Sequence, residues 1–563
     1  MLKSIPVESN IVHRGIVSID TMTQAIREGS RQAVKKAIES HRSGFMFSYE
    51  SSHYQLHVVD RFALYPLFYT ISDGIPIVSQ IVDELLPYLK KKVLHPEGYY
   101  GTGGMGKGNR TPYTPFVGVM RIPPGHFLEY KDGHHELVCY WSFKDLDDRP
   151  YQGSYEDACD TLGALIKQGV DRCYAHNPQL AVHLSGGLDS GSISALLGQV
   201  KKDTIHAYAH VKPDAPDNHP TFENGYLRKY VKHYPQIKIC KSHKLPLEKE
   251  AQLAIHSASN WHSVKHDSPE GRICQDLTYR KIPYILSGVG GDELASYGHG
   301  HQSSKQSIDS DGDARKFMYR QIFLKRKFRF LVKGVIGMDG PRMDSIAQTL
   351  MLSPFTSKNN NYHPSFRTNV RELREGNLIS LYWFPSTYHY RLRTLEKSYF
   401  TVRSDIWNFL SHYYDIDYMF PLLDVDLVEF CASLPRSFFI GKPQRQMIKT
   451  GLMKYLPEEL LGGGKRPSYL PPQIVSQNIN TQKDDLAANQ LEQIRQLGNT
   501  LAASVYDLDH MKQKIMQCQH RLSRIPNSWS RTKQTLEREI QQAQLYLRQA
   551  DYVNTHFEDI AII

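Results

Sequence analysis

Apolar positions change their period near residue 150, and the two periods predict two kinds of structure. Up to about residue 145 they fall in short runs at 11–19, 44–49, 54–59, 67–71 and 75–79, separated by Gly, Asp and Ser. That pattern predicts strands joined by turns. Further on the spacing becomes helical: Ala158, Leu162, Leu165, Ile166 and Val170 share one face and predict a helix over 155–172. The apolar run 180–184 follows, then a glycine-rich turn and a helix over 193–200. A strand at 204–211, a helix at 223–234 and a strand at 236–240 complete the alternation. Strands alternating with helices at this spacing imply βαβ units and a parallel sheet.

Beyond residue 300 the sequence reads as helical and basic. Leu491, Ile494, Leu501, Val505, Leu508, Ile515 and Leu522 recur at helical spacing, Pro526-Asn527-Ser528 breaks the period, and Leu536, Ile540, Ala543 and Leu547 resume it. A helical hairpin packed on the domain is expected, because Gly498 interrupts the stripe that a coiled coil would need. The chain is therefore divided into residues 1–147 and 152–563, with 481–563 as a helical C-terminal extension.

Composition narrows the class. The 563 residues are 22% charged and 40% hydrophobic, which suits globular domains with real cores and excludes a disordered chain. No run approaches the ~18–20 apolar residues of a membrane span, and the opening Met1-Leu2-Lys3-Ser4-Ile5-Pro6 has no apolar signal core. A soluble, cytoplasmic protein is expected. Seven cysteines (Cys139, Cys159, Cys173, Cys240, Cys274, Cys431 and Cys518) form no CxxC pair, which argues against zinc, iron–sulfur and thioredoxin-like sites. The net charge of +10 permits an anionic ligand without identifying one.

The chemistry concentrates in two loops. Ser185-Gly186-Gly187-Leu188-Asp189-Ser190 lies between a buried strand and a helix. Glycines there let the backbone approach an anion, and hydroxyls and helix-start N–H groups donate to it. Asp189 repels a phosphate directly but makes sense if Mg²⁺ stands between them. Ser287-Gly288-Val289-Gly290-Gly291-Asp292-Glu293 repeats the logic after the run 282–286. In an open parallel sheet, ligands bind beyond the carboxyl ends of the strands, so two such loops can face one nucleotide. Ser185, Gly186, Gly187, Asp189, Ser190, Ser287, Gly288 and Gly290 are the candidate ATP-binding residues, and Asp189 with Asp292 the candidate Mg²⁺ ligands.

In this order the two loops resemble the asparagine synthetase family of PP-loop ATP pyrophosphatases. Pro421-Leu422-Leu423-Asp424 resembles the family's PFLD segment, and Leu456-Pro457-Glu458 followed by Lys465 its LP…K ending. Upstream, Asp60-Arg61-Phe62, Pro66-Leu67-Phe68-Tyr69, Thr114-Pro115-Phe116 and Arg121-Ile122-Pro123-Pro124-Gly125-His126 resemble the end of its glutaminase domain. The resemblance implies an α/β architecture: an N-terminal Ntn-hydrolase-like αββα sandwich, then a parallel-sheet PP-loop synthetase domain with a helical tail. It also implies ATP cleavage between the α and β phosphates, transfer of AMP to a carboxylate, and displacement of AMP by an amine. Lys465 then takes the catalytic role of stabilising charge on the phosphate and acyl oxygens.

Two departures refine this. Leu2 stands where the family's glutaminase carries its cysteine nucleophile, so the sandwich is expected to be inactive toward glutamine. Val289 occupies a slot where asparagine synthetases carry Glu and β-lactam synthetases Tyr, and it can neither transfer a proton nor accept a hydrogen bond. Both features resemble the lasso-peptide macrolactam cyclases, which join an Asp or Glu side chain of a precursor peptide to its α-amine. That resemblance implies a peptide substrate, with a leader-peptide protease as a candidate partner. Small-molecule amide or β-lactam synthetases, an ammonia-dependent asparagine synthetase, and a non-catalytic nucleotide- or peptide-binding scaffold are the competing readings. Asp417, four residues before Pro421, is read first as a structural salt-bridge partner.

Other signals are weaker. Residues 101–108 imitate a P-loop but end in Gly108 where a hydroxyl is required. Asp309, Asp311 and Asp313 alternate like a calcium loop with Gly312 misplaced, and no Glu follows His262 to make a zincin of His262 and His266. The basic–aromatic stretch 315–333 suits a peptide cleft or an amphipathic helix. It carries no RNA-binding motif, so nucleic acid is not an expected partner.

Overall fold

A computed structural model describes residues 10–96, 98–99, 112–142, 151–209, 223–242, 245, 268–291, 294, 400–435, 438, 445–461, 483–524 and 530–560. In chain order, β1 (Asn10–Gly15) precedes the helices α1 (Ile19–Glu28) and α2 (Arg31–Ser40). Then come β2 (Phe45–Glu50), β3 (Tyr54–Val59), β4 (Phe68–Ser72), β5 (Ile75–Ser79), β6 (Val93–Leu94), β7 (Met120–Arg121), β8 (His126–Lys131) and β9 (His134–Cys139). One antiparallel sheet has the order β1-β2-β3-β8-β9 and a second the order β5-β4-β7.

The period-two pattern of β2 shows how the first sheet is covered on both faces. Phe45, Phe47 and Tyr49 point to α1 and α2 and form a core with Met22, Ala25, Val34, Ala37 and Ile38. Met46 points the other way and packs with Val59, Leu128, Leu67 and Tyr69. The two helices escape the strand reading of this region. Both are short, and both open on serine caps: Ser18 accepts from the Thr21 N–H and Ser30 from the Ala33 N–H.

The second unit begins with α3 (Tyr155–His176). It continues through β10 (Leu180–His183), α4 (Leu188–Val200), β11 (Ile205–Ala209), α5 (Glu223–His233), β12 (Ile237–Lys241), α6 (Pro269–Tyr279) and β13 (Tyr284–Leu286). After α7 (Phe400–Tyr414) come β14 (Asp417–Met419), α8 (Val425–Ser433), α9 (Gln446–Leu452) and α10 (Glu458–Leu461). All adjacent strands are parallel, in the order β12-β11-β10-β13-β14. The sheet therefore runs outward from β10 in both directions, and its order reverses between β10 and β13. This is the expected α/β parallel sheet. One boundary needs correction: α4 starts at Leu188, not at residue 193. The helix is buried on all sides from Ser190 to Gly198, so its first turns carry no amphipathic period.

The tail forms α11 (Lys483–Leu497), α12 (Leu501–Val505), α13 (Leu508–Arg524), α14 (Ser530–His556) and the short β15 (Asp559–Ile560), which pairs with β6. These four helices replace the simple hairpin that the period predicts, and α11 stops just before Gly498. Ile494, Val505, Leu508, Ile515, Leu536, Ile540 and Leu547 are all buried, in one core with Phe68, Val82, Leu94, Tyr99 and Phe116. The extension thus packs on residues of the N-terminal strand-rich region. No helix among the described residues is long and apolar enough to cross a membrane.

Candidate functional site

The Ser185–Ser190 loop lies where the strand order reverses. Leu184 still bonds to the neighbouring strand, its N–H 2.8 Å from the Tyr208 carbonyl. Gly186 then takes φ +78°, a left-handed conformation that a side chain resists. The Ser185 N–H donates to Ser190 Oγ at 3.0 Å, the two hydroxyls lie 3.0 Å apart, and the Gly187 N–H reaches Ser185 Oγ at 3.3 Å. Both serines therefore brace the turn. Gly187 caps α4 with no side-chain hydrogen bond, so the N–H groups of the first turn have no acceptor from their own cap.

The second loop packs directly on the first. β10 and β13 are parallel neighbours with Val182 beside Leu286, so each chain leaves the sheet at the same edge. A Cβ on Gly288 would lie 2.7 Å from Ser190 N and 2.9 Å from its Cα. A Cβ on Gly291 would lie 2.3 Å from Asp189 Cγ. The two glycines thus let one loop's backbone and the other loop's carboxylate meet at contact distance. Gly290, at φ +101°, lies against the Leu422 carbonyl, which a Cβ would approach to 2.8 Å. The PFLD-like segment therefore supports the second loop from behind. Its Asp424 caps α8 and takes both carboxylate oxygens to Arg172 of α3, at 2.6 and 2.7 Å. Ser287 is buried, its N–H 2.9 Å from the Met419 carbonyl. Val289 is half-buried and packs on the sheet's core.

Two groups at this edge escape the sequence reading. Arg445, in a left-handed conformation just before α9, brings Nη1 to 3.5 Å from Asp189 Oδ2. Nothing in the local sequence marks Arg445 as the residue that folds back on the hexapeptide. The other group joins strand and helix. His183, the last residue of β10, has Nε2 2.9 Å from Glu270 Oε1 in the first turn of α6. The Tyr418 hydroxyl of β14 donates to the same oxygen at 2.8 Å, and Cys274 Sγ lies 3.1 Å from that hydroxyl.

Asp417 is the salt-bridge partner that the sequence suggested. It lies at the opposite end of β14, 3.0 Å from Arg14 Nη1, and burial pushes its carboxyl upward against the pull of that arginine. Asp292, Lys465, the stretch 315–333 and the imitations at 101–108, 262–266 and 309–313 lie outside the described residues. Among the described residues no group of three or more His, Cys, Asp or Glu side chains could hold a metal ion.

A parallel sheet whose order reverses between two glycine loops is an arrangement that receives ligands at that edge. The family model described as asparagine synthase matches residues 161–548. The chain is similar to asparagine synthetase [glutamine-hydrolyzing] 3 of Bacillus subtilis (strain 168), 28% identical over 158 residues, 27% of this chain and 25% of that protein. Asparagine synthetase [glutamine-hydrolyzing] 2 of the same organism is 25% identical over 163 residues, covering 27% of this chain and 21% of its own length. Amidase chyE of Penicillium rubens is 21% identical over 271 residues, 45% of this chain and 39% of that protein. The chain spans between about a fifth and two fifths of the length of these curated relatives.

Proposed function

The chain belongs to the asparagine synthase family, and from that premise we propose that it is an ATP-dependent, AMP-forming carboxylate–amine ligase, most like a lasso-peptide macrolactam cyclase. One observation carries the ligase reading: Gly291 packs against the carboxyl of Asp189 and Gly288 against the backbone of Ser190. Two loops that close suit a single ligand shared by both.

The residues fit a triphosphate and its metal. The left-handed Gly186 and the first-turn N–H groups of α4 supply donors to phosphate oxygens. Asp189, with Asp292 as its proposed companion, would hold Mg²⁺, which when bound neutralises charge between carboxylate and phosphates. Arg445, 3.5 Å from Asp189, adds positive charge at the same edge. Lys465 is the proposed electrostatic stabiliser of the departing phosphate. Activation is needed because a carboxylate and an amine do not condense usefully in water, and AMP is the better leaving group.

The peptide reading rests on Val289. Its apolar side chain packs on the core, so the acid–base arrangement expected of a small-molecule synthetase has no group at that slot. For a macrolactam, holding both ends of one chain supplies proximity worth roughly 7–11 kcal/mol at best. Among the described residues the N-terminal sheets offer one cysteine, Cys139 on β9, exposed at the sheet's edge. That supports an amine other than ammonia released from glutamine. The relatives named as asparagine synthetases favour the second reading, an aspartate amidation.

The test is product analysis. Purified protein is offered ATP and Mg²⁺ with either L-aspartate and ammonium, or C-terminally amidated peptides carrying a free α-amine and one aspartate at successive positions. Release of AMP and pyrophosphate that depends on a peptide, with loss of one water from its mass, is expected, and Asp189→Asn should abolish it while the protein stays folded. ADP and phosphate as products, or full activity in Asp189→Asn, would refute the ligase reading. Dependence on aspartate alone would select the second.

A further inference from the structure

One turn of the N-terminal unit touches the segment that backs the second glycine loop. Arg42 and Ser43, between α2 and β2, meet the PFLD-like segment and α8 through backbone, hydroxyl and guanidinium. The Val425 N–H donates to the Arg42 carbonyl at 2.8 Å, and Ser43 Oγ lies 3.4 Å from Asp424 Oδ2. The Arg42 guanidinium donates from Nε to Asp426 Oδ1 at 2.8 Å and from Nη2 to Glu429 Oε2 at 3.0 Å. The turn itself is braced from within its own unit. Buried Arg61 donates to the His41 and Glu39 carbonyls at 2.7 and 3.0 Å, and His41 Nε2 accepts from the Ser18 N–H at 2.8 Å.

From that turn inward the charges alternate. Arg42 faces Asp426, Asp426 faces Arg172 Nη2 at 2.7 Å, and Arg172 Nη1 holds both oxygens of Asp424. Side-chain exposure falls along the row from 30% at Arg42 to 2% at Asp424. Burial pushes the Asp424 carboxyl upward against the pull of Arg172. At Asp426 burial acts the same way, but hydrogen bonds from Arg172 and Arg42 outweigh it and hold the carboxyl below its ordinary value. Asp424 follows the turn Pro421–Leu423 directly, and the carbonyl of fully buried Leu422 is the one against which Gly290 lies. Gly169 of α3 closes the other side, since a Cβ there would lie 2.5 Å from the Pro421 oxygen. Every step from Arg42 to the second loop is therefore a direct contact, and Gly291, next in that loop, packs on the Asp189 carboxyl.

Resting on the ligase reading, we infer that Arg42 is a positioning residue of the nucleotide site: it fixes α8 and the PFLD-like segment from the N-terminal unit and, through the Leu422 carbonyl, the second glycine loop against Asp189. It touches neither nucleotide nor carboxylate substrate. Its action is on populations. With Arg42 in place, the loop is held in the arrangement that packs on Asp189. Without the guanidinium the turn keeps its backbone hydrogen bond to Val425 but loses its grip on two carboxylates of α8, and the packed arrangement is occupied only part of the time. Apparent affinity falls with the fraction of competent protein. Ion pairs as exposed as these add little to global stability, so the loss is read in nucleotide binding before it is read in melting.

The probe is Mg²⁺ with α,β-methylene-ATP, a triphosphate that cannot be cleaved to AMP, and its Kd is measured by calorimetry on the full chain. Arg42→Gln should melt within a few degrees of wild type yet raise that Kd about three- to tenfold. The KM for ATP in AMP release should rise with it, while the KM for the aspartate peptide stays unchanged. Hydrogen exchange in the peptide spanning 285–291 should quicken in the same variant. Arg42→Lys keeps the charge and loses the planar fork, so its Kd should fall between the two, and it keeps the test decisive if Arg42→Gln fails to fold. Arg31→Ala is the control: it breaks ion pairs with Glu129 and Glu136, neither of them on α8, and should leave the Kd within about twofold of wild type. A rise of less than about threefold in Arg42→Gln, or an equal rise in Arg31→Ala, overturns the assignment while leaving the ligase reading intact. A wild-type protein that binds no Mg²⁺–nucleotide and releases no AMP overturns the ligase reading and this assignment with it.

Discussion

Gly291→Ala probes the contact on which the candidate site depends. The added Cβ would lie 2.3 Å from Asp189 Cγ, 2.5 Å from Oδ1 and 2.6 Å from Cβ. Ordinary carbon–carbon contact is about 3.5–4.0 Å, so the carboxyl must retreat by roughly 1 Å. Rotation about χ2 gives little relief, because Asp189 Cβ is itself too close. A displacement of about 1 Å in a catalytic group costs on the order of a hundredfold in rate, whereas overpacking costs about 1–3 kcal/mol of stability. Gly291→Ala should therefore melt within a few degrees of wild type yet lose carboxylate-dependent AMP release about a hundredfold.

Gly288→Ala makes a different clash, with Ser190 N at 2.7 Å and Cα at 2.9 Å. No rotamer relieves a backbone contact, so the loops must separate, and the stability loss should exceed that of Gly291→Ala. Gly498→Ala, whose Cβ would meet nothing closer than 3.5 Å, is the control. Thermal melts and AMP release decide the matter together. A Gly291→Ala protein with activity within threefold of wild type would refute the argument that the loops are shaped around Asp189.

Two further outcomes follow from packing and burial. A Cβ on Gly451 would lie 2.1 Å from the Cys159 carbonyl, so Gly451→Ala should force α9 away from α3 and cost at least about 1–3 kcal/mol by urea denaturation; an unchanged midpoint would contradict the close helix contact. His57 is fully buried beside Ser48, and burial pushes its pKa down to about 3. The unfolded chain then binds the extra proton: stability is fully present above about pH 6.5 and is lost, at about 1.4 kcal/mol per pH unit, as pH falls toward 3. Urea midpoints at pH 7 and pH 5 should diverge in wild type and less so in His57→Gln, and equal slopes would remove His57 as the cause.

What the sequence revealed follows from where its signals were local. Strands β3 and β5 match their apolar runs residue for residue, and β10 and α3 nearly so, because each is bounded by turn residues that propensity alone identifies. The two glycine loops were legible as well, since glycine, hydroxyl and carboxylate in a fixed order have few purely structural uses. Long-range pairing was not legible. β14 is three residues long and is a strand only because β13 pairs with it. Arg445 reaches Asp189 from a segment that lies far from both loops in sequence. His183 reads as one polar residue at the end of an apolar run, and its nearness to Glu270 appears only in the fold.

The same strand gives the N-terminal sheets a physical role that needs no amide hydrolysis. Three residues at the end of a sheet hold themselves poorly. β14 is fixed instead by what packs behind it: Arg14 and the Gly15 N–H of β1 bind the Asp417 carboxylate, and the Tyr65 hydroxyl donates to the Tyr418 carbonyl at 2.6 Å. Just beyond, Arg42 pairs with Asp426 at 2.6 Å and Glu429 at 3.0 Å on α8. The largely buried Arg14–Asp417 pair adds little net stability but is costly to break from one side, at about 3–5 kcal/mol, so it fixes position more than it adds strength. Position is what the candidate site requires of β14, because the segment that follows it sets the Leu422 carbonyl behind Gly290. That demand is met by packing alone, so the sheets have a structural role beside the parallel sheet whose last strand they hold in place.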